Sequence, residues 1–140
     1  LGNFTLAAAT RSREVVGVEV SKTMVHRVLQ NARHNSLDNI QAVAFDLTKS
    51  IAEQSWAKEP WDTLIVDPPR SGAKEVLEEL PLKNIQRVLY VSCNPATLAR
   101  DAKLLIERGF KMTHLGMMDM FPHTAHMESM ALFVQRGARG

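Results

Sequence analysis

Val88-Leu89-Tyr90-Val91-Ser92-Cys93-Asn94-Pro95-Ala96-Thr97-Leu98-Ala99-Arg100-Asp101 decides how this chain folds. Its first five residues favour a strand. Asn94 is a good helix N-cap and Pro95 suits the first helical position, so a helix opens at once. Cys93, the only cysteine of the chain, falls at that junction. Its sulfur is expected beside unpaired backbone N–H groups at the positive end of a helix dipole, a setting that favours thiolate over thiol. In an open α/β sheet, the carboxyl ends of the strands are where ligands bind and react. A buried, inert cysteine is the competing reading. The cap favours a nucleophile.

Outward from this junction, strand-like and helix-like segments alternate. Strands are predicted over Val15–Glu19, Ile40–Phe45, Thr63–Val66 and Arg87–Ser92. Helices are predicted over Phe4–Ala9, from Ser21 through Ala32, over Thr48–Gln54, over Gly72–Leu80 and over Pro95–Glu107. Pro81 stops the fourth of these helices and Gly109 the last. A final pair, Phe110–Met118 and Ser129–Gln135, has no helix between its members and is expected to be antiparallel. Such alternation of short apolar strands with helices predicts an α/β, doubly wound, mostly parallel sheet. With the antiparallel pair at its end, it has the pattern of the class I S-adenosylmethionine-dependent methyltransferase (Rossmann-like) sheet. Leu1-Gly2-Asn3-Phe4-Thr5-Leu6 reads as the second half of a glycine-rich loop opening into a helix. The expectation is one catalytic domain over 1–140, truncated at its N-terminus and lacking the first strand of its sheet.

Composition narrows the class. One hundred and forty residues, 45% of them hydrophobic, are enough for one domain with a core. A single cysteine excludes an internal disulfide and a multi-thiolate metal site. There is no signal-peptide pattern and no apolar run of membrane-span length, so the expected compartment is the cytoplasm. A net charge of +2 is too small to mark a nucleic-acid binder by itself.

Chemistry-bearing residues fall at the ends of the predicted strands. Glu19 ends the first, where a carboxylate can accept both ribose hydroxyls of a nucleoside cofactor. A solvated N-cap carboxylate is the alternative. Asp46 follows the next strand; an adenine amino contact and a simple turn cap are equally open there. Asp67-Pro68-Pro69-Arg70 puts a carboxylate on rigid backbone, which suits a site that holds two substrates in register. Amino-group methyltransferases carry an aromatic residue where this chain has Arg70, which argues against nitrogen chemistry. Glu128 opens an apolar strand near histidines, surroundings that can raise its pKa toward a working general base. An edge-strand surface charge is the other reading. His123 and His126 match no standard zinc spacing, and no metal is expected. His26, His34 and His114 have no motif around them and read as structural.

Taken in order, Gly2-Asn3-Phe4-Thr5-Leu6, Gly17-Val18-Glu19, Asp67-Pro68-Pro69-Arg70-Ser71-Gly72, Ser92 to Asp101 and Asp119 to Met130 resemble the RNA uracil-5 methyltransferases. The resemblance covers nearly the whole chain. The Ala96-to-Asp101 run and the His126-Met127-Glu128-Ser129-Met130 run look most like the branch that makes 5-methyluridine in 23S ribosomal RNA. The transfer-RNA branch typically carries Pro-Tyr where this chain has Pro122-His123. What the resemblance implies is S-adenosyl-L-methionine as methyl donor, with Asn3, Glu19, Asp46 and Asp67 lining its pocket. Cys93 would be the nucleophile, Glu128 the base, and 23S ribosomal RNA the partner. Arg70 and Arg100 are candidates for phosphate or uracil-carbonyl contacts, or for surface ion pairs. Many members also hold an iron–sulfur cluster on cysteines, which Cys93 alone could not supply.

Three alternatives stand beside this reading. One is uracil-5 methylation of another RNA, such as transfer RNA. Another is a truncated, non-catalytic module that only binds RNA or cofactor. The third, a cysteine hydrolase, needs a histidine base; His114, the nearest along the chain, has no supporting motif.

Overall fold

In the computed structural model, β4 (Arg87–Ser92) runs into Cys93, and α4 (Pro95–Glu107) follows immediately. The Asn94 side chain caps α4 by accepting from the Ala96 N–H at 3.1 Å, with Pro95 in the first helical turn. The structure describes residues 3–119 and 127–137. Gly2 of the expected helix-opening loop, and Pro122, His123 and His126 of the last motif, lie outside the described residues.

The chain divides into two compact units, residues 1–49 and 50–140. In the first, α1 (Asn3–Ala9), β1 (Val15–Glu19), α2 (Lys22–His34) and β2 (Ile40–Ala44) follow one another. β1 and β2 pair in parallel, Val15 with Ile40 through Glu19 with Ala44. Ser21 caps α2 as expected, accepting from Met24 N–H at 3.1 Å. Val28 and Ala32 point inward from α2, four residues apart on one face. Gly17 lets α1 come close to β1: a Cβ there would lie 2.9 Å from the Thr5 hydroxyl. Asn39 ties α1 to the start of β2, donating to the carbonyls of Ala9 and Ser12 at 2.8 Å each.

The second unit holds β3 (Thr63–Val66), α3 (Lys74–Glu79), β4, α4, β5 (Phe110–Asp119) and β6 (Met127–Gln135). These strands form one four-stranded sheet in the order β3-β4-β6-β5. β3 and β4 are parallel, while β6 lies antiparallel between β4 and β5. The last two strands are thus antiparallel, as their lack of an intervening helix predicts. Val88, Tyr90, Val91, Ala131 and Phe133 are fully buried, and Leu105 of α4 joins them in the core. A bulge lies between Met112 and His114 on the edge strand.

One expected element differs. Thr48–Gln54 is not helical; the only helical turn near it is a 3₁₀ turn at Ser55–Lys58. The Ile51 N–H, which a helix would turn to the carbonyl four residues back, is taken by a carboxylate of α3. Asp46 accepts from the Thr48 N–H and hydroxyl, and Glu79 of α3 accepts from the Ile51 N–H at 2.6 Å and the Ser50 hydroxyl at 3.0 Å. α3 is also shorter than Gly72–Leu80, because Gly72 takes a φ of +87°. Among the described residues, no helix is long and apolar enough to cross a membrane.

Candidate active site

Strand register determines which candidate residues meet within the second unit. Ser92 of β4 pairs with Ser129 of β6. Cys93 is the first residue past the end of β4, and Glu128 lies one residue back along β6, so both flank the last pair of that ladder. On the other side of β4, Val66 is the last β3 residue in register, opposite Tyr90, and Asp67 follows it. Cys93, Glu128 and Asp67 therefore emerge at one end of three adjacent strands, the end at which parallel sheets bind ligands.

Cys93 is exposed and carries a free thiol. Its neighbours are pinned. The Ser92 hydroxyl, on a buried residue, donates to the Asn94 carbonyl at 2.8 Å and accepts from the Asn94 N–H at 3.0 Å. Thr97 donates its hydroxyl to the same carbonyl at 3.1 Å. A reactive group on a short turn whose flanks are bonded in this way is held near one position. Glu128 is half-buried, opposite Met118 in the β5–β6 ladder.

Asp67 has exposed surface, but the groups packed round it displace water and push its carboxyl above the usual carboxylate range. Such a group gains from an N–H, O–H or cationic partner. The loop after it turns through Gly72, whose N–H donates to the Pro69 carbonyl at 2.9 Å. Arg70 extends from this loop with its side chain exposed. Its carbonyl accepts from the Asn94 side chain at 3.2 Å, which ties the Asp67 loop to the Cys93 turn. Arg100 is placed differently from a free phosphate contact. Its guanidinium bonds the Asp101 carboxylate at 3.0 Å and donates to the Ser71 carbonyl at 2.8 Å.

The remaining candidates lie in the first unit. Asn3 opens α1 and Glu19 closes β1. Asp46 stands two residues beyond β2, with Oδ1 bonded to Thr48; that bonding holds its carboxyl below the usual range. Its turn-capping reading is thus realised, and among the described residues nothing bonds Oδ2. Glu19, Asp46 and Asp67 share one chemistry, a carboxylate at or just past the carboxyl end of a parallel strand. A carboxylate in such a place accepts from hydroxyl and amino groups. Among the described residues, no group of three His, Cys, Asp or Glu side chains is gathered to hold a metal ion.

Sequence reasoning missed Asp101. Its signal was its place on α4: Leu98, Asp101, Ala102 and Leu105 share the buried face, so a carboxylate falls where a core residue belongs.

Parallel strands followed by helices, with a last strand inserted antiparallel, make this a class I methyltransferase fold, and solved structures share it. An rRNA methylase from Streptococcus thermophilus superposes with a TM-score of 0.67 at 13% identity, over 96% of this chain and 80% of that one. A Pyrococcus abyssi tRNA (uracil-54, C5)-methyltransferase, in complex with S-adenosyl-L-homocysteine, superposes with a TM-score of 0.75 at 34% identity, covering 95% of this chain and 32% of that one. The family model described as tRNA (uracil-5-)-methyltransferase matches residues 1–136, and the chain belongs to that family. Among its relatives are proteins named 23S rRNA (uracil(1939)-C(5))-methyltransferase RlmD. That of Alcanivorax borkumensis is 51% identical over 133 residues, and that of Xanthomonas axonopodis pv. citri 55% over 137. The chain spans 30% of the first relative's length and 31% of the second's.

Proposed function

We propose that the protein carrying this chain methylates carbon 5 of a uridine in 23S ribosomal RNA, with S-adenosyl-L-methionine as donor. The observation that carries this reading is the register that brings Cys93, Glu128 and Asp67 to one end of three neighbouring strands. Carbon methylation of uracil needs both a thiol and a base, whereas methylation of a nitrogen needs no thiol addition. The choice of ribosomal RNA rests on relatives of that name at 51–55% identity, against 34% for the transfer-RNA enzyme. A ribosomal RNA substrate implies a cytoplasmic site of action.

Carbon 5 of uracil is a poor nucleophile. The Cys93 sulfur adds to carbon 6, and the displaced electron pair gives carbon 5 enolate character. When bound, S-adenosyl-L-methionine supplies the electrophilic methyl group. Glu128 then takes the proton from carbon 5, and the returning electron pair expels the Cys93 sulfur. Asn3, Glu19, Asp46 and Asp67 would hold the donor through its hydroxyl and amino groups. Arg70, exposed on the Asp67 loop, would meet a phosphate or a uracil carbonyl of the RNA. The target base must leave its stack to reach a thiol at a sheet edge.

Two substitutions in the full-length protein test the roles. Cys93→Ala should abolish both methyl transfer and any protein–RNA adduct. Glu128→Gln should form the adduct and transfer the methyl group, yet release product on the order of 10²-fold or more slowly. Full turnover by the Cys93→Ala protein would refute the scheme. Methylation confined to transfer RNA would replace the substrate assignment and leave the chemistry standing.

A further inference from the structure

Asp101 is completely buried, and its carboxylate gathers the parts of the site. Oδ2 accepts from the Tyr90 hydroxyl at 2.5 Å and from the Ala73 N–H at 2.8 Å. Oδ1 accepts from Arg100 Nε at 3.0 Å and pairs with Arg100 Nη2 at 3.0 Å. Nη2 reaches on to the Ser71 carbonyl at 2.8 Å. Gly72 passes between these groups: a Cβ there would lie 2.4 Å from Arg100 Nη2 and 2.7 Å from Asp101 Oδ2. α4 thus holds the backbone of residues 71–73 with the same two turns that follow Cys93. Tyr90 lies on β4, three residues before Cys93, and its hydroxyl, held protonated by burial and by Asp101, remains a donor.

A core that needed only packing would place apolar residues at 90 and 101. Withdrawing a carboxylate from water is costly even when it is paired, and well-packed apolar replacements are often as stable or more so. Its bonds here run to Tyr90, to Arg100 and, directly or through Arg100, to loop backbone, so what it specifies is a position.

We propose that Tyr90, Asp101 and Arg100 are positioning residues that fix the Asp67–Ala73 loop against the Cys93 turn, and so set the spacing between methyl donor and uracil ring. This rests on the proposed function, because Asp67 and Cys93 are there assigned to the two substrates. Arg100 acts in this through Asp101 and Ser71 rather than through RNA. A small error in the relative placement of two reactants lowers the rate of the chemical step while leaving the binding of each nearly intact.

The test uses the full-length protein with Tyr90→Phe, which loses one hydroxyl, and Asp101→Asn, which loses the charge. Both are compared with the parent in single-turnover methylation, S-adenosyl-L-homocysteine binding and amide hydrogen exchange. For Tyr90→Phe the expected result is a methyl-transfer rate constant down about tenfold or more, with both substrate affinities within about twofold. Exchange at residues 71–73 should quicken about tenfold, with the β4–β6 amides unchanged. Asp101→Asn should exceed it in both effects. Unchanged exchange at 71–73 would overturn the proposal, whether or not the parent is active. So would faster exchange with an unaltered transfer rate, because the cluster would then be structural only. A parent that methylates no uridine would refute the functional reading, and with it the role assigned to the loop.

Discussion

Asp67, which we assign to the methyl donor, is held at some expense to the fold. Its carboxyl is pushed above its ordinary value of 3.8 by loss of water, with no cation among the described residues drawing it back. The folded state therefore binds this proton more tightly than the unfolded chain does. Between the unfolded and folded pKa values, stability falls as pH rises; below the unfolded value the penalty disappears. We expect Asp67→Asn to be at least as stable as the parent at pH 7. The two melting curves should converge as pH drops toward about 4. Affinity for S-adenosyl-L-homocysteine should meanwhile fall on the order of tenfold. Thermal melts across pH, with and without that ligand, check both halves. A variant that melts well below the parent at pH 7 would make Asp67 a structural residue. The position of Asp67 was legible because a strand-like run leads into it and two prolines follow it. Asp101 was not, because its partners at 71–73 and 90 are brought together only by the packing of α4 against β4 and the Gly72 turn.

Elements here succeed or fail on local donors and acceptors. α2 and α4 start where Ser21 and Asn94 offer a side-chain oxygen, and both were readable from the chain. Thr48–Gln54 has helical composition but lost the Ile51 N–H to Glu79, which is 28 residues beyond Ile51 and beyond the reach of any local reading. Gly72 is the sharpest element-scale test. Its φ of +87° strains any other residue, and a Cβ would press into the Arg100–Asp101 pair. Gly72→Ala should cost on the order of 3 kcal/mol in denaturant unfolding. Ser21→Ala, which removes only a cap, should cost about 1 kcal/mol. Equal losses in the two variants would mean that the 69–72 turn yields more easily than its contacts imply.

For the whole molecule, the antiparallel ending was legible because no helix separates β5 from β6. The doubly wound α/β class was legible from the alternation of strands and helices; the described strands form two sheets, β1-β2 and β3-β4-β6-β5. Periodicity reports the type of each strand and says little about its neighbour, so pairing was the weaker inference. Pairing is also what the functional account depends on, since Cys93 and Glu128 are 35 positions apart and come to the same end of the sheet only through the β4–β6 pairing. The most direct measurement is covalent capture by the full-length protein, using S-adenosyl-L-methionine and 23S ribosomal RNA substituted with 5-fluorouridine. Fluorine on carbon 5 cannot leave as a proton, so Glu128 has nothing to accept and the Cys93 sulfur stays bonded to carbon 6. The account predicts one nucleotide adduct per protein, carrying the transferred methyl group and mapping by peptide mass to Cys93. Methylated RNA with no adduct, or an adduct on any other residue, would contradict it.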